Sequence, residues 1–192
     1  MSRMISAFSG LALLLLSAHQ CIGGEAGPGP DYEQLKAMEW IIGDWEAEWV
    51  VPEGEWALSG FPAGSQVHST CSYSWMQKKN NIRLRFRDEI DGKVAHAGLE
   101  IVGVDPESKK IIHWLFSILG GWGKGEWTVE GKTWKLKWWG TTADGTKLEG
   151  VAYLIPLDAN THTWQIKDCK KNGETTPDTP VVTYRRVTKT PG

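Results

Sequence analysis

The sequence lacks several features that would assign it to a class of protein at once. Its 192 residues contain 21 Lys and Arg against 23 Asp and Glu, so the formal charge is −2 and there is no basic excess. Nucleic-acid-binding domains usually carry such an excess, so the composition argues against that class. The longest apolar run, at residues 7–18, is shorter than the roughly 20 residues that a membrane-spanning helix needs. No transmembrane helix is predicted.

Motifs of metal, nucleotide and hydrolase chemistry are also missing. The sequence has no His-Glu-x-x-His, no Cys-x-x-Cys, no Gly-x-Ser-x-Gly and no phosphate-binding loop that ends in Gly-Lys-Ser/Thr. The glycine-rich stretch 120–125 precedes a predicted strand rather than a helix, so it is interpreted as an interstrand loop. Four histidines follow residue 26 without the spacing of zinc ligands: His68, His96, His113 and His162. No catalytic residues and no metal site are predicted.

The N-terminal segment has the pattern of a secretory signal peptide. Arg3 precedes the apolar run, and small residues follow it at Gly23, Gly24 and Ala26. We therefore expect residues 1–26 to be a signal peptide and the protein to be exported, either periplasmic or secreted. Lipoprotein processing at Cys21 is the alternative. Residues 27–34 are then a linker and the start of a helix, and residues 35–188 form one domain.

Removal of the signal peptide would leave two cysteines, Cys71 and Cys169. An oxidising compartment would permit a disulfide between them. Strand alternation places them on opposite faces of their strands, which favours two unpaired thiols.

The period of the apolar residues changes from helical to extended near residue 43. Asp31 can cap a short helix with Gln34 in a capping box, and apolar residues recur at helical spacing from Leu35 to Ile42 before Gly43 ends the run. Beyond it, apolar and charged residues alternate, as in Trp45–Val51, Ile82–Arg87 and Trp134–Trp138. This pattern predicts one short helix followed by half-buried strands.

Turn signals separate these strands at intervals of about 10 to 15 residues, which is typical of hairpins between neighbouring strands. They are Asp91-Gly92, Asp105-Pro106, Gly120-Gly121, Glu130-Gly131, Asp144-Gly145, Asp158-Ala159-Asn160 and Asn172-Gly173. Nine or ten antiparallel strands joined in this way avoid exposed edges if the sheet closes. The predicted fold is therefore an all-β, up-and-down antiparallel barrel with a short N-terminal helix.

Several motifs resemble those of lipocalin-like (calycin) barrels. Gly43-Asp44-Trp45, directly after the helix, is similar to the Gly-x-Trp signature of that group. Together, the segments 38–45, 71–80, 103–116 and 120–127 resemble an exported bacterial family of lipocalin-like domains of unknown function. The resemblance covers about residues 35–187 and implies a calycin barrel with a binding role. It also implies that a basic residue of the last strand, Arg185 or Arg186, covers Trp45 at the closed end of the barrel.

The 12 tryptophans suggest what the interior of the barrel holds. Alternation predicts that most of these large rings point inward, as in the apolar stripe Ile112, Trp114, Phe116. Tyr153 would add a polar group to this interior. The predicted ligand-binding residues are Trp49, Trp75, Trp114, Phe116, Trp134, Trp138, Trp164 and Tyr153. Trp139, which shares the parity of Lys135 and Lys137, is expected to face outward.

Three interpretations of this ring-rich interior follow. In the first, the rings line a cavity for a small hydrophobic or planar molecule. In the second, they fill the barrel, which then acts as a structural or protein-interaction module without a ligand. In a minor alternative, an inward His113 or His162 ligates haem iron, as in nitrobindin-type barrels.

Overall fold

A computed structural model describes residues 27–53 and 61–188, and the predicted signal peptide lies outside them. The described chain is all-β apart from short helical turns at its start and after β2. Its strands are β1 (Gly43–Val50), β2 (Gln66–Met76), β3 (Asn81–Ile90), β4 (Lys93–Val104), β5 (Ile111–Ser117), β6 (Trp122–Glu130), β7 (Thr133–Thr141), β8 (Lys147–Asp158), β9 (Thr161–Lys171), β10 (Glu174–Thr175) and β11 (Val182–Arg186).

The strands close into an antiparallel barrel. From β1 to β9 each strand pairs with the next in sequence, and β11 then joins β9 to β1. Ten strands therefore form the ring, while the two-residue β10 pairs with β9 beside it. Closure leaves no open edge among the ring strands, which explains why so many consecutive hairpins form a stable unit. The predicted fold class is confirmed.

Tight turns connect several of the hairpins where the sequence indicates them. Asp91 and Gly92 both have positive φ, 50° and 70°, as the type I′ turn between β3 and β4 requires. Asn172 and Gly173, with φ of 52° and 88°, have the same combination between β9 and β10. These turns set the register of their hairpins.

The N-terminal helix covers one end of the barrel. It consists of α1 (Tyr32–Leu35) and a 3₁₀ turn, Lys36–Ile41, and it buries Leu35, Met38 and Ile41. The predicted capping box does not form, because Asp31 makes no side-chain capping bond. Instead, the backbone N–H of Asp31 donates to Asn80 Oδ1 at 3.1 Å, which ties the helix start to the β2–β3 connection.

The two ends of the barrel differ. At the closed end, where β1 begins, the helix packs on a dense cluster that includes Trp45, Ile82, Val102, Trp134 and Leu154. At the open end, β1 ends at Val50, and the segment 117–122 connects β5 to β6. A second, smaller cluster of Leu136, Ala152, Ile166 and Cys169 lies between β7, β8 and β9.

Both described cysteines are unpaired, as expected, but the reason differs from the prediction. Cys71 faces the interior on β2, and Cys169 is also buried in the interior on β9. The predicted opposite faces are wrong because a bulge near Asp168, which has φ of 53°, shifts the alternation of β9. The thiols stay apart because β2 and β9 are not neighbours in the barrel.

Among the described residues, no helix is both long and apolar enough to cross a membrane.

Candidate ligand-binding cavity

Arg186 and Trp45 form the centre of the closed end. The guanidinium carbon of Arg186 lies 4.1 Å from the centre of the Trp45 ring. The same group donates to three backbone carbonyls, through Nη1 to Ile42 at 2.7 Å, through Nη2 to Trp40 at 2.5 Å and through Nε to Ala159 at 3.1 Å. The basic residue that covers Trp45 is thus Arg186, while Arg185 is exposed on the outer side of β11.

Gly43 makes this arrangement possible. Its φ of +133° is one that other residues rarely adopt, and a Cβ placed there would lie 2.5 Å from Arg186 Nη1. The Arg186 side chain is anchored to three carbonyls, so it cannot swing away without losing those bonds. The Gly-x-Trp element therefore has a structural role, because it lets Arg186 of the last strand bind against the start of the first strand.

His162 packs at the same closed end of the barrel. Together with Trp45 and Tyr184 it forms a cluster of rings that we call the aromatic plug. The His162 ring stacks on Tyr184 with centres 5.1 Å apart and meets Trp45 edge-on at 4.4 Å. Burial, with a smaller contribution from the Arg186 charge, lowers the pKa of His162 to about 4. The imidazole is neutral at physiological pH and belongs to the packed end of the barrel.

Above this plug, the described strands enclose a cavity of about 270 Å³ that extends to the open end. One wall comes from β6 to β9 and is mainly apolar, with Trp127, Leu136, Trp138, Trp164 and Ile166. Two inward glycines, Gly123 and Gly140, add no side chain to the space beside them. The rings therefore line a space in the half of the barrel at the open end, which we call the open half. They fill the half at the helix end, which we call the closed half.

The opposite wall, from β2 to β5, carries polar groups. Asp88 and His96 are cross-strand partners, with Oδ2 and Nδ1 3.5 Å apart. Glu100 Oε2 lies 3.2 Å from Nδ1 of the buried His113. This distance would permit a hydrogen bond, but the two groups are not aligned for one. All four side chains line the cavity, and we call them the polar wall. The cavity thus has one apolar and one ionisable side.

A hydrogen-bond chain fixes the orientation of Asp88. Trp49 Nε1 donates to Ser69 Oγ at 2.8 Å, and Ser69 Oγ donates to Asp88 Oδ1 at 2.5 Å. The chain uses inward positions on three neighbouring strands, β1, β2 and β3. Asp88 Oδ2 is left to face His96 and the cavity.

The other ionisable groups of this wall stay neutral. Burial, together with the Asp88 and Glu100 charges, raises the pKa of the Cys71 thiol well above its usual range. Burial likewise raises the pKa of the Tyr73 hydroxyl, with a further contribution from Glu100. Cys71 and Tyr73 therefore present an S–H and an O–H group rather than charges.

These side chains do not assemble into a metal site. Across residues 27–53 and 61–188, no three His, Cys, Asp or Glu side chains are grouped so that they could hold a metal ion. Both histidines considered as haem ligands do face inward, but His162 is enclosed by Trp40, Trp45 and Tyr184, and His113 is buried beside Glu100. These contacts do not fit an axial haem ligand.

The structure brings three of the predicted ligand-binding residues to the cavity: Trp49, Trp138 and Trp164. Trp75 and Trp134 lie elsewhere, since neither lines the cavity. Trp134 is buried in the closed half, 6.4 Å from the ring of Trp127. Trp75 contacts Tyr32 of the helix, with ring centres 5.5 Å apart.

The inward orientation predicted for Trp114, Phe116 and Tyr153 is wrong. Trp114 and Phe116 are 38% and 53% exposed on the outer face of β5, whereas His113 and Leu115 point inward. Tyr153 is on the outer side of β8, where the ammonium groups of Lys135 and Lys167 lie 5.7 and 5.6 Å from its ring centre. On these strands both faces carry apolar residues, so hydrophobicity alone does not tell them apart.

Of the polar wall, sequence reasoning selected only His113, as a candidate haem ligand. Asp88 shares the parity of Ile82 and Leu84, which would have marked it as inward, and Glu100 shares that of Val102. His96 shares the parity of Glu100 and Val102 as well, because the bulge of β4 lies beyond it, between His96 and Val94.

Comparison of the sequence with models of known protein families and with curated proteins gave no match. The fold and the geometry of the cavity therefore carry the functional argument.

Proposed function

We propose that this protein is a lipocalin-like barrel that binds a small, mainly apolar molecule in its open half. The observation that carries the proposal is the cavity of about 270 Å³ with tryptophans on one side. Ligand sites are typically concave and apolar, with a few polar groups that fix the orientation of the ligand. The family resemblance of the Gly43–Trp45 element supports the same conclusion.

The volume limits the size of the ligand. Small-molecule sites usually span roughly 300–1,000 Å³, so this cavity lies just below that range. A planar molecule of about two fused rings suits it better than a long lipid chain. Its faces would lie against Trp138 and Trp164, which favours aromatic or otherwise flat ligands.

The polar wall defines the other side of the ligand. Asp88 and Glu100 are hydrogen-bond acceptors that border the cavity, and Asp88 is oriented by Ser69. A ligand with a protonated amine or another donor group would satisfy these carboxylates, while an anionic ligand would be repelled. We therefore infer a planar apolar body with a donor or cationic group at one edge.

A fluorescence titration with N-phenyl-1-naphthylamine, a neutral aromatic probe, tests the cavity. Trp138→Ala removes a ring that lines it, and Trp139→Ala, the next residue, removes a ring from the outer face. We expect binding to weaken at least about tenfold in the first variant and to remain unchanged in the second. Equal effects of both variants, or no saturable binding by the wild type, would contradict the proposal. The second result would favour a barrel that acts only through its surface.

Paired probes test the chemistry of the polar wall. Naphthylmethylamine and naphthoate have the same ring system but opposite charges. We expect the amine to bind more tightly, and Asp88→Asn together with Glu100→Gln to remove that preference. A preference for the carboxylate would contradict the inferred ligand chemistry while leaving the cavity itself as a binding site.

We also propose that the protein acts outside the cytoplasm, on the basis of the signal-like pattern of residues 1–26. Cell fractionation, with the mass of the mature chain, tests this. Cleavage after Ala26 and recovery from the periplasm or medium are expected, whereas a lipid-modified Cys21 would show the lipoprotein alternative. An intact chain in the cytoplasm would contradict export.

A further inference from the structure

The outer surface of β4 to β7 is unusually apolar near the open end. Among the described residues, the exposed Trp and Phe side chains all lie there. We call this the aromatic face, and it consists of Leu99, Trp114, Phe116, Ile118, Trp122 and Trp139. The largest exposed fractions are those of Phe116 at 53% and Ile118 at 61%. Contiguous apolar surface of this kind usually marks an interaction site.

Strand register brings the aromatic face together. Phe116 is paired with Leu99 on one side and with Trp122 on the other. Lys124 is paired with both Trp114 and Trp139, and its ammonium group lies 5.1 and 5.7 Å from their ring centres. The rings are thus held by the sheet rather than scattered over the surface.

A basic row borders this face. Arg83, Arg85 and Arg87 occupy successive outward positions of β3, and Arg85 is the cross-strand partner of Leu99. The three arginines and the apolar side chains of Leu99, Phe116 and Ile118 line one shallow groove. The carboxylates at the margins are engaged, Glu89 by Arg87 and Glu126 by Lys110. The face therefore has a positive border around an apolar centre.

We propose that the aromatic face and its basic row dock the protein onto an anionic lipid bilayer. Tryptophan and phenylalanine partition into the interfacial region of membranes, and arginine and lysine are attracted to anionic headgroups. Exposed aliphatic residues in the connection after β5, Ile118 and Leu119, suit insertion among acyl chains rather than stacking on nucleotide bases. The basic row suits an anionic partner of either kind, and these aliphatic side chains favour the membrane surface over a nucleic acid.

The position of the face adds a consequence that depends on the proposed function. Leu119, Gly120 and Trp122 also line the cavity, so the β5–β6 connection belongs both to the docking face and to the mouth of the cavity. Docking would bring the mouth to the bilayer surface. An apolar ligand could then pass between the membrane and the barrel without crossing water.

Co-sedimentation of the full chain with lipid vesicles tests the docking. One set contains phosphatidylcholine alone, and the other contains about one third phosphatidylglycerol. We expect binding at least about tenfold stronger to the anionic vesicles, weakened by added salt because the attraction is screened. Every variant keeps the same N-terminal segment, so differences among the variants do not come from that segment.

Matched variants locate the contact. Arg85→Ser and Phe116→Ser should each reduce vesicle binding several-fold. Lys170→Ser and Leu157→Ser, which change exposed residues of β9 and β8, should not. Equal binding to neutral and anionic vesicles, or equal loss in all four variants, would overturn the proposal.

Two further outcomes would assign the face to another occupant and also overturn membrane docking. They are salt-dependent binding to single-stranded DNA without vesicle binding, and self-association that Phe116→Ser abolishes. The docking and the cavity are tested separately, because Trp139→Ala should reduce vesicle binding and Trp138→Ala only probe binding. Loss of one activity therefore leaves the other proposal intact.

Discussion

Arg186 and Trp45 hold the first and last barrel strands together, with the guanidinium carbon 4.1 Å from the indole ring centre. The two residues are also cross-strand partners in the β1–β11 ladder. The contact closes the ring of strands at the end where the helix packs. It stabilises the barrel and lies outside the proposed binding cavity, whose lining does not include either residue.

Arg186→Ala is therefore expected to destabilise the protein by about 2–4 kcal/mol, from the lost cation–π contact and the carbonyls left without their donor. Arg185→Ala, at the exposed neighbouring position, should change the free energy of unfolding by less than about 0.5 kcal/mol. Urea denaturation of both variants measures the difference. Similar costs for the two would mean that Arg186 is an ordinary surface residue.

Gly43→Ala should cost about 1–3 kcal/mol, because the new methyl group meets both an unfavourable φ and the Arg186 guanidinium. Gly131→Ala is the matched control, since its φ is also positive at 62° but its Cβ would meet nothing within 4 Å. The penalty at residue 43 should fall in an Arg186→Ala background. An unchanged penalty there would show that the two residues do not interact.

His162 should make stability depend on pH. Its pKa is about 4 when folded and 6.5 in an ordinary environment, so the unfolded chain binds the proton more readily between these values. The stabilisation is complete above pH 6.5 and is lost as the pH falls towards 4. Between pH 7 and about pH 4.5, the wild type should lose about 2.5 kcal/mol more than His162→Phe.

Unfolding midpoints at the two pH values check this prediction. His68→Phe serves as the control, because His68 lies on the outer side of β2. Parallel pH profiles for the wild type and His162→Phe would contradict the role assigned to the plug.

The two buried thiols should react slowly. Burial raises the pKa of Cys169 to about 11 and that of Cys71 further, so little thiolate is present at neutral pH. We expect reaction with a disulfide reagent to be at least about 100-fold slower in the folded protein than in urea. The rate should be measured in variants that keep one cysteine each. Bound probe should protect Cys71, which lines the cavity, but not Cys169.

The sequence was sufficient to predict the barrel because its strands and turns are regular. Trp45 and Trp134 stand on strands with a charged outer face, where alternation determines orientation. The Gly43–Trp45 element likewise indicates that a basic residue of the last strand covers Trp45. Long-range register was not needed for either conclusion.

The cavity could be predicted only in part, for two physical reasons. β5 carries apolar side chains on both faces, and the exposed face is the more hydrophobic, so hydrophobicity predicts the wrong direction for Trp114 and Phe116. The polar wall needs pairing across strands, since Asp88 meets His96 only through the β3–β4 register. The usual rule is that the more hydrophobic face of a strand points to the interior. It fails on a strand whose outer surface is apolar.

The most direct test of ligand binding in the open half is a set of intermolecular nuclear Overhauser effects. Naphthylmethylamine would be added to protein with labelled leucine and isoleucine methyl groups. We expect contacts from the ligand protons to Leu115, Leu136 and Leu148, which line the cavity. Contacts confined to Ile118 and Leu157 on the outer surface, or no contacts at saturating ligand, would contradict this expectation.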